Sequence, residues 1–167
     1  MSKFFIGIDV GKKGGIVVLD HSGKIVKMDV MPIGADDELC PESLLDMISP
    51  YSEECHCILE RLHAMPLFGA KGNFNFGGQY FTVKTIMKLT KTPYTEVLAR
   101  IWQKELFQGI PSIEKSDGKL DTKKMALVSA QRLFPGANFL ATSRSKKDHE
   151  GIVDALLIAE YGRRNFK

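Results

Sequence analysis

The sequence predicts an α/β domain whose mixed sheet opens with an antiparallel three-stranded meander and is flanked by helices. Three hydrophobic runs near the N-terminus, residues 3–9, 16–20 and 24–31, are separated only by short glycine-containing turns, a spacing typical of consecutive antiparallel strands. Strand-like and helix-like segments alternate after them, and such alternation indicates helices packed on a sheet. We expect the 167 residues, 1–167, to form one domain.

The later elements follow from hydrophobic spacing and from the residues that begin and end helices. We expect strands at residues 55–60 and 94–99, and helices at residues 41–49, 78–91, 101–107 and 120–135. Asp121 or Thr122 is expected near the start of the last of these helices, which ends at Pro135-Gly136. Residues 61–78 are rich in Gly, Asn and Phe and predict a long loop, which in a compact domain is usually functional.

The final helix begins with charge although most of its later residues are apolar. An all-round apolar helix belongs inside a fold, yet Asp148, His149, Glu150 and Asp154 lie in its first turns. Glu150 and Asp154 are four residues apart and share a helix face, so they repel each other unless a positive group lies between them. Two structural alternatives stay open: Asp148 as the N-cap residue, and Glu150 as a favourable charge at the helix start.

Two further acids end predicted strands. Asp9 closes the first strand and Glu60 closes the strand at 55–60, where α/β folds commonly place their sites. Together with Glu150 and Asp154 they would form an all-oxygen cluster that suits Mg²⁺ or Mn²⁺. Two such ions can clamp the attacking and leaving oxygens of a phosphodiester. Alternatively, Asp9 caps the following GKKGG turn and Glu60 pairs with Arg61 or a nearby lysine at the surface.

Composition and charge narrow the function classes. The net charge of +3 is mild, but basic groups are separated from the acidic segments at residues 36–38 and 53–54, a pattern that suits either a polyanion-binding face or solvated helix surfaces. Three cysteines argue against a disulfide framework. No stretch has the apolar length of a membrane span and no signal-peptide pattern is present, so we expect a cytoplasmic protein without a membrane partner.

Three stretches, in this order, resemble the RuvC-like Holliday junction resolvases of the RNase H-like superfamily: FFIGIDVGKKGGIVVLD, CILERLHAMP and KKDHEGIVDALLIAEYGRR. The last is most similar to phage-encoded members, which would place the protein in a host cytoplasm. The resemblance covers almost the whole chain and implies an RNase H-like fold. It also implies a homodimer that uses Mg²⁺ or Mn²⁺, two ions per active site, to nick a four-way DNA junction symmetrically during recombination or repair.

Carried onto this chain, the resemblance makes Asp9 the first metal ligand, Glu60 the second and Asp154 the last. Bacterial members place an acid or a histidine three residues before the final aspartate, whereas this chain has Gly151 there. We therefore expect Glu150 to complete the site. Asp148 and His149 remain candidates for that position, and His149 also as a proton-transfer group.

The resemblance also predicts DNA contacts. An aromatic residue after Glu60, Phe68 or Phe74, would wedge into the junction and stack on a base, an interaction of about 1–3 kcal/mol; the alternative is packing in the core or in a dimer interface. The helix at 78–91 and the Phe-rich segment before it are the expected dimer surface, and Trp102 is expected in the core or an interface. The expected phosphate contacts are basic side chains: Lys12, Lys13, Lys84, Lys88, Lys146 and Lys147.

Three rival functions remain. An RNase H-like nuclease acting on RNA–DNA hybrids or flap DNA would have the same metal site. A non-catalytic nucleic-acid-binding relative would keep the fold, but here all four acids are present. Sugar kinases and actin-like ATPases share the GIDxG opening, but they need two such domains and a second phosphate-binding loop. Because the chain lacks both, we expect no small-molecule cofactor.

Overall fold

A five-stranded mixed sheet forms the centre of the computed structural model, which describes residues 2–64 and 69–166. The strand order is β3-β2-β1-β4-β5. The first three strands pair antiparallel, whereas β4 runs parallel to β1 and β5 parallel to β4. The strands are β1 (Phe4–Asp9), β2 (Gly15–Asp20), β3 (Ile25–Val30), β4 (Cys55–Glu60) and β5 (Tyr94–Val97). The predicted mixed sheet with its opening meander is confirmed, although β5 ends two residues earlier than predicted.

Helices cover both faces of the sheet. They are α1 (Pro41–Ile48), α2 (Gly69–Leu89), α3 (Ala99–Leu106), α4 (Thr122–Leu133) and α5 (Glu150–Asn165), and a 3-10 turn, Ser49–Tyr51, follows α1. Alternate strand residues face opposite ways. Phe5 therefore joins a buried cluster with α3, α4 and α5, whereas its neighbour Ile6 joins a second cluster with α1 and α2. In the described residues no helix is apolar over the length needed to cross a bilayer.

Helix α2 begins nine residues earlier than predicted and absorbs most of the segment interpreted as a loop. Glycines in helix interiors cost about 1 kcal/mol each, which is why this segment favours a loop on propensity alone. Packing overrides that preference, because Tyr80, Val83 and Met87 are buried at helical spacing against the sheet. The loop prediction was therefore wrong for residues 69–78. The predicted wedge residue Phe68 lies outside the described residues.

Helix α5 runs against the sheet with almost no space between the backbones. A Cβ atom on Gly7 of β1 would lie 2.1 Å from the carbonyl oxygen of Ala155 and 2.4 Å from the nitrogen of Ala159. At the helix start, Gly151 pairs with Gly14 in an isolated parallel bridge. These close approaches fix the height and rotation of α5 on β1, and with them the positions of its acidic residues.

Helices α4 and α5 each begin with a side chain that accepts a hydrogen bond from a backbone N–H of the first turn. The Asp121 side chain accepts a hydrogen bond from the Lys124 backbone at 3.1 Å, which confirms the expected cap of α4. In α5 the capping residue is His149, whose Nδ1 accepts from the Ile152 backbone N–H at 3.3 Å. The alternative in which Asp148 caps α5 was therefore wrong.

Candidate metal centre

The sheet topology brings the two strand-ending acids to one edge. Strands β1 and β4 are parallel neighbours, with Ile8 opposite Leu59, so Asp9 and Glu60 follow at the same carboxyl end. Helix α5 starts over this edge and adds Glu150 and Asp154. The other three carboxylates are all close enough to influence the pKa of Asp9 electrostatically.

The Asp9 carboxyl group has the most perturbed environment of the four. Burial raises its pKa well above the ordinary value, and the negative charges of Asp154, Glu60 and Glu150 raise it further, while Lys123 opposes the shift. No hydrogen-bond donor among the described residues reaches this carboxylate. The alternative role for Asp9, as a cap of the following turn, is therefore not what its side chain does.

Asp154 is paired with a lysine that the sequence did not connect to it. The residue is 7% exposed, and the Lys123 ammonium on α4 lies 2.5 Å from its Oδ2 atom and 4.0 Å from Oε2 of Glu150. Burial raises the pKa of Asp154, and Lys123 limits the rise. Burial alone would lower the pKa of Lys123, but its acidic neighbours, Asp154 first, raise it overall. Lys123 therefore carries a positive charge between the two acids of α5.

Glu60 is held by the core and not by Arg61. The indole N–H of Trp102 donates to Oε2 of Glu60 at 2.9 Å, and Trp102 itself is fully buried. The surface pairing considered for Glu60 was therefore wrong, and Trp102 lies in the core, one of its two expected places. Burial raises the pKa of Glu60, and the bond from Trp102 opposes that rise.

The donor set fits a hard divalent cation in its chemistry and its charge. Four carboxylates share this edge with the ammonium of Lys123, and burial first, then the neighbouring negative charges, raise the pKa values of Asp9, Glu60 and Asp154. In the described part of the chain, no three His, Cys, Asp or Glu side chains yet converge as a closed ligand set. Cation binding would therefore require some of these carboxylates to rotate towards the others.

Two cavities flank the acidic edge. The larger, about 780 Å³, lies between the β1–β2 turn, α2 and the start of α5, and is lined by Asp9, Lys13, Lys123, His149 and Glu150 among others. The smaller, about 410 Å³, has an apolar floor and a basic rim. Its rim includes Lys124, Lys146 and Lys147, and it shares Lys123 and Glu150 with the larger cavity. Asp9, Glu150 and Asp154 therefore lie beside two adjoining, lysine-bordered recesses, whereas Glu60 lines a third cavity of about 780 Å³ together with Arg61 and Arg100.

The lysines expected to contact DNA differ in whether an acidic side chain of the protein already pairs with them. Lys13, Lys146 and Lys147 border the two cavities. Lys12 forms an ion pair with Asp37. Lys84 is bound to both oxygens of Glu96 at 3.1 Å, so its charge is balanced within the protein.

Two of the other expected functional residues are also located. Phe74 is 81% exposed on α2. His149 lines the larger cavity, but its Nδ1 atom is occupied by the capping bond of α5, and burial lowers its pKa. Only the other ring nitrogen, Nε2, is left for a ligand in the cavity.

Comparison with solved structures shows which fold positions this edge. The structure is similar to that of T. thermophilus RuvC in complex with a Holliday junction substrate, with a TM-score of 0.61 over 95% of this chain and 94% of that one. The chain has a RuvC-like fold. Sequence identity is 11%, so the similarity establishes the predicted RNase H-like α/β fold and nothing finer. No family model and no curated protein sequence matches the chain.

Within this RuvC-like fold, there is a steric reason for a glycine at position 151. A Cβ atom there would lie 2.1 Å from the carbonyl oxygen of Lys13 and 2.6 Å from the Cα of Gly14. No acid or histidine fits at this position unless the β1–β2 turn moves. Glu150, one residue earlier, projects into the cavity with 70% of its side chain exposed.

Proposed function

We propose that this protein is a divalent-metal-dependent endonuclease that resolves four-way DNA junctions by paired phosphodiester hydrolysis. The observation that carries the proposal is the gathering of Asp9, Glu60, Glu150 and Asp154 at one sheet edge beside a large cleft. The structural similarity to a RuvC bound to a Holliday junction supports branched DNA as the substrate. The lysines that border the cleft suit a polyanion.

The cation would be held by Asp9, Glu60 and Asp154, with Glu150 as the fourth ligand. Bound Mg²⁺ or Mn²⁺, two ions by analogy with the family, would supply an activated water and charge stabilisation for in-line attack on the phosphodiester. The pKa values of these carboxylates are raised in the metal-free protein. Added positive charge would lower them, so that the carboxylates would lose their protons and bind the cation as anions. No side chain of the protein has to act as a nucleophile.

Lys123 and His149 serve the substrate in this proposal. Lys123 borders both cavities, so its ammonium can contact a phosphate that enters between them while it neutralises Asp154. The Nδ1 atom of His149 accepts the capping bond of α5, which places the proton of the neutral ring on Nε2. His149 then donates a hydrogen bond to an anionic oxygen through Nε2, as a proton-transfer group can.

The DNA backbone would follow the two cavities. Lys13 would contact phosphates in the larger cavity, and Lys146 and Lys147 those at the smaller one. Phe74, exposed on α2, would stack on an unpaired base at the branch point. Lys12 would contribute only after it releases Asp37, and Lys84 stays with Glu96.

The test is cleavage of a labelled four-way junction in Mg²⁺, with linear duplex, RNA–DNA hybrid and flap DNA as competitors. Asp9→Asn and Asp154→Asn remove two ligands, and Asp46→Asn is the matched control because Asp46 is an exposed acid on α1, across the sheet from α5. We expect paired symmetric nicks in the junction alone, retained in Asp46→Asn and lost in the other two variants.

The other outcomes separate the rival functions. Cutting of the hybrid or flap in preference to the junction would keep the metal centre and change the substrate. Junction binding without cutting by the unmodified protein, in Mg²⁺ and in Mn²⁺, would leave a binding protein and contradict the proposal. Unchanged cutting by Asp9→Asn would show that cleavage does not depend on a metal ion held at this edge.

A further inference from the structure

Trp102 is the only tryptophan of the chain, and its indole N–H is hydrogen-bonded to a carboxylate of the acidic edge. The ring is 0% exposed and packs edge-to-face on Phe107, with centroids 5.9 Å apart and an interplanar angle of 86°. A buried indole N–H needs an acceptor, and carbonyl groups of the backbone commonly provide it. Here the acceptor is the side chain of Glu60, 42 residues away in sequence, at 2.9 Å.

The two carboxylate oxygens of Glu60 have different environments. Oε2 accepts from Trp102, while Oε1 has no hydrogen-bond partner within residues 2–64 and 69–166. In that same part of the chain, no fully buried side-chain oxygen or nitrogen lacks a partner. Oε1 is therefore reachable from solvent, on a carboxylate whose other oxygen is anchored to an immobile core ring.

We propose that Trp102 is a positioning residue of the metal centre, whose indole N–H holds Glu60 in the orientation that presents Oε1 to a divalent cation. This inference rests on the proposed function. Ligand carboxylates are commonly oriented by a hydrogen-bonding partner outside the ligand set, and losing such a partner typically weakens metal binding about 10–100-fold. A fixed carboxylate also loses less conformational freedom when the cation arrives.

Because the chain has one tryptophan, one indole N–H resonance in an amide-proton NMR spectrum reports on this bond alone. We expect saturable movement of that resonance on titration with Mg²⁺, as Glu60 redistributes charge between the cation and Trp102. In Glu60→Gln the side-chain oxygen still accepts the bond, but the ligand charge is gone, so the resonance should stay where it is when Mg²⁺ is added. This measurement does not depend on any tryptophan variant folding.

The second measurement is Mn²⁺ affinity, read from the electron paramagnetic resonance signal of free Mn²⁺. Trp102→Phe keeps an aromatic ring in the core and removes the N–H donor. Leu106→Met is the matched control, since Leu106 is buried on the same helix and its side chain has no hydrogen-bond donor to offer Glu60. We expect Mn²⁺ binding to weaken about 10–100-fold in Trp102→Phe and to stay within about twofold in Leu106→Met.

The outcomes separate this inference from the proposed function. If the unmodified protein binds no Mn²⁺, the metal centre itself is wrong. If it binds Mn²⁺ and Trp102→Phe binds equally well, the metal centre stands and the positioning role is overturned. An indole resonance that ignores Mg²⁺ while Mn²⁺ binds would overturn it too. Equal weakening in both core variants would assign the effect to helix packing and reject a role for the N–H.

Discussion

The acidic edge stores unfavourable electrostatic energy in its individual residues. Asp9 is half-buried, has no hydrogen-bond donor among the described residues and faces three other carboxylates, while Lys123 neutralises only part of their charge. A buried, unpaired charge costs stability, so such an arrangement persists where a ligand or a reaction requires it. The carboxylates therefore behave as a site prepared for a cation, and removing single charges should reveal this.

Asp9→Asn should stabilise the metal-free protein at neutral pH. The pKa of Asp9 is raised on folding, so the folded chain binds this proton more tightly than the unfolded chain does. Its unfavourable contribution is therefore absent below the ordinary value near 3.8 and grows as the pH rises through the raised pKa. We expect about 1 kcal/mol or more, or about 2–4 °C in Tm for a chain of this size, at pH 7 in EDTA.

The measurement is thermal unfolding of both proteins in EDTA at pH 4 and pH 7. The gain from Asp9→Asn should shrink at pH 4, where the unmodified carboxyl group is protonated as well. Added Mg²⁺ should raise the Tm of the unmodified protein more than that of the variant, because a ligand stabilises only the state that binds it. A variant that is less stable at pH 7 in EDTA would contradict the electrostatic argument.

Lys123→Met should change metal-free stability and metal affinity in opposite directions. Without the ammonium, Asp154 keeps its charge with no partner, and we expect a loss of about 1–3 kcal/mol in EDTA, less than for a fully buried pair because the lysine side chain is 48% exposed. The site also becomes more negative, so Mn²⁺ should bind more tightly. Calorimetric titration with Mn²⁺ checks this, and weaker binding would show that Lys123 supports the ligand geometry.

At the scale of elements, the position of the acids depends on how closely α5 approaches the sheet. Gly7 of β1 and the glycines of the β1–β2 turn let the helix backbone lie directly on the strand backbone. The same contact explains why the first acid of the helix is Glu150 and why Gly151 carries no side chain. Packing of small residues and placement of the ligands are therefore one structural feature.

Gly151→Ala should destabilise the protein by several kcal/mol, because the new Cβ would meet the Lys13 carbonyl oxygen at 2.1 Å and backbone cannot yield as a side-chain tip can. Gly77→Ala is the matched control, a glycine inside α2 with open space around its Cβ position. That change should stabilise by about 0.5–1 kcal/mol through helix propensity. Urea unfolding of the two variants measures both, and a tolerated Gly151→Ala would show that the turn can move.

The same elements show what the sequence can and cannot predict. Asp9 and Glu60 were predictable because a strand that ends in an acid is a local pattern, and the parallel pairing that joins them follows from the order of elements. The N-terminal half of α2 was not, because Gly72, Gly77 and Gly78 lower helix propensity while burial of Tyr80 and Val83 decides the outcome. That packing is tertiary and leaves no local signal.

Lys123 and Trp102 show the same limit for the site. Lys123 lies 31 residues before Asp154, and Trp102 lies 42 residues after Glu60, so neither pairing has a characteristic spacing. The four-residue spacing of Glu150 and Asp154 predicts a positive group between them. A metal ion was the expected group, whereas the structure places Lys123 there. A basic helix preceding an acidic helix start was the available signal.

In the whole molecule, α2 presents an apolar surface that the described residues, 2–64 and 69–166, leave exposed. Beyond Phe74, which is assigned to the DNA, Phe81 and Leu89 are 64% and 77% exposed along this helix. An exposed apolar patch of this kind commonly marks an interface. In the proposed function each chain contributes one acidic edge, so two symmetric cuts in a four-way junction would require a twofold dimer. We therefore expect α2, the helix predicted from the sequence as the dimer surface, to pair with α2 of a second copy.

Phe81→Glu should convert a dimer into a monomer, because it places a charge in the middle of the paired helices. Light scattering should give twice the 18.6 kDa chain mass for the unmodified protein and a single chain mass for the variant. Leu45→Glu is the matched control, an exposed apolar residue on a different helix, α1, and should leave the dimer intact. On a supercoiled plasmid with an extruded cruciform, paired cuts linearise the circle while a lone cut only relaxes it. Phe81→Glu should therefore yield relaxed circles and Leu45→Glu linear product; linear product from a monomeric Phe81→Glu would show that the two cuts do not depend on α2.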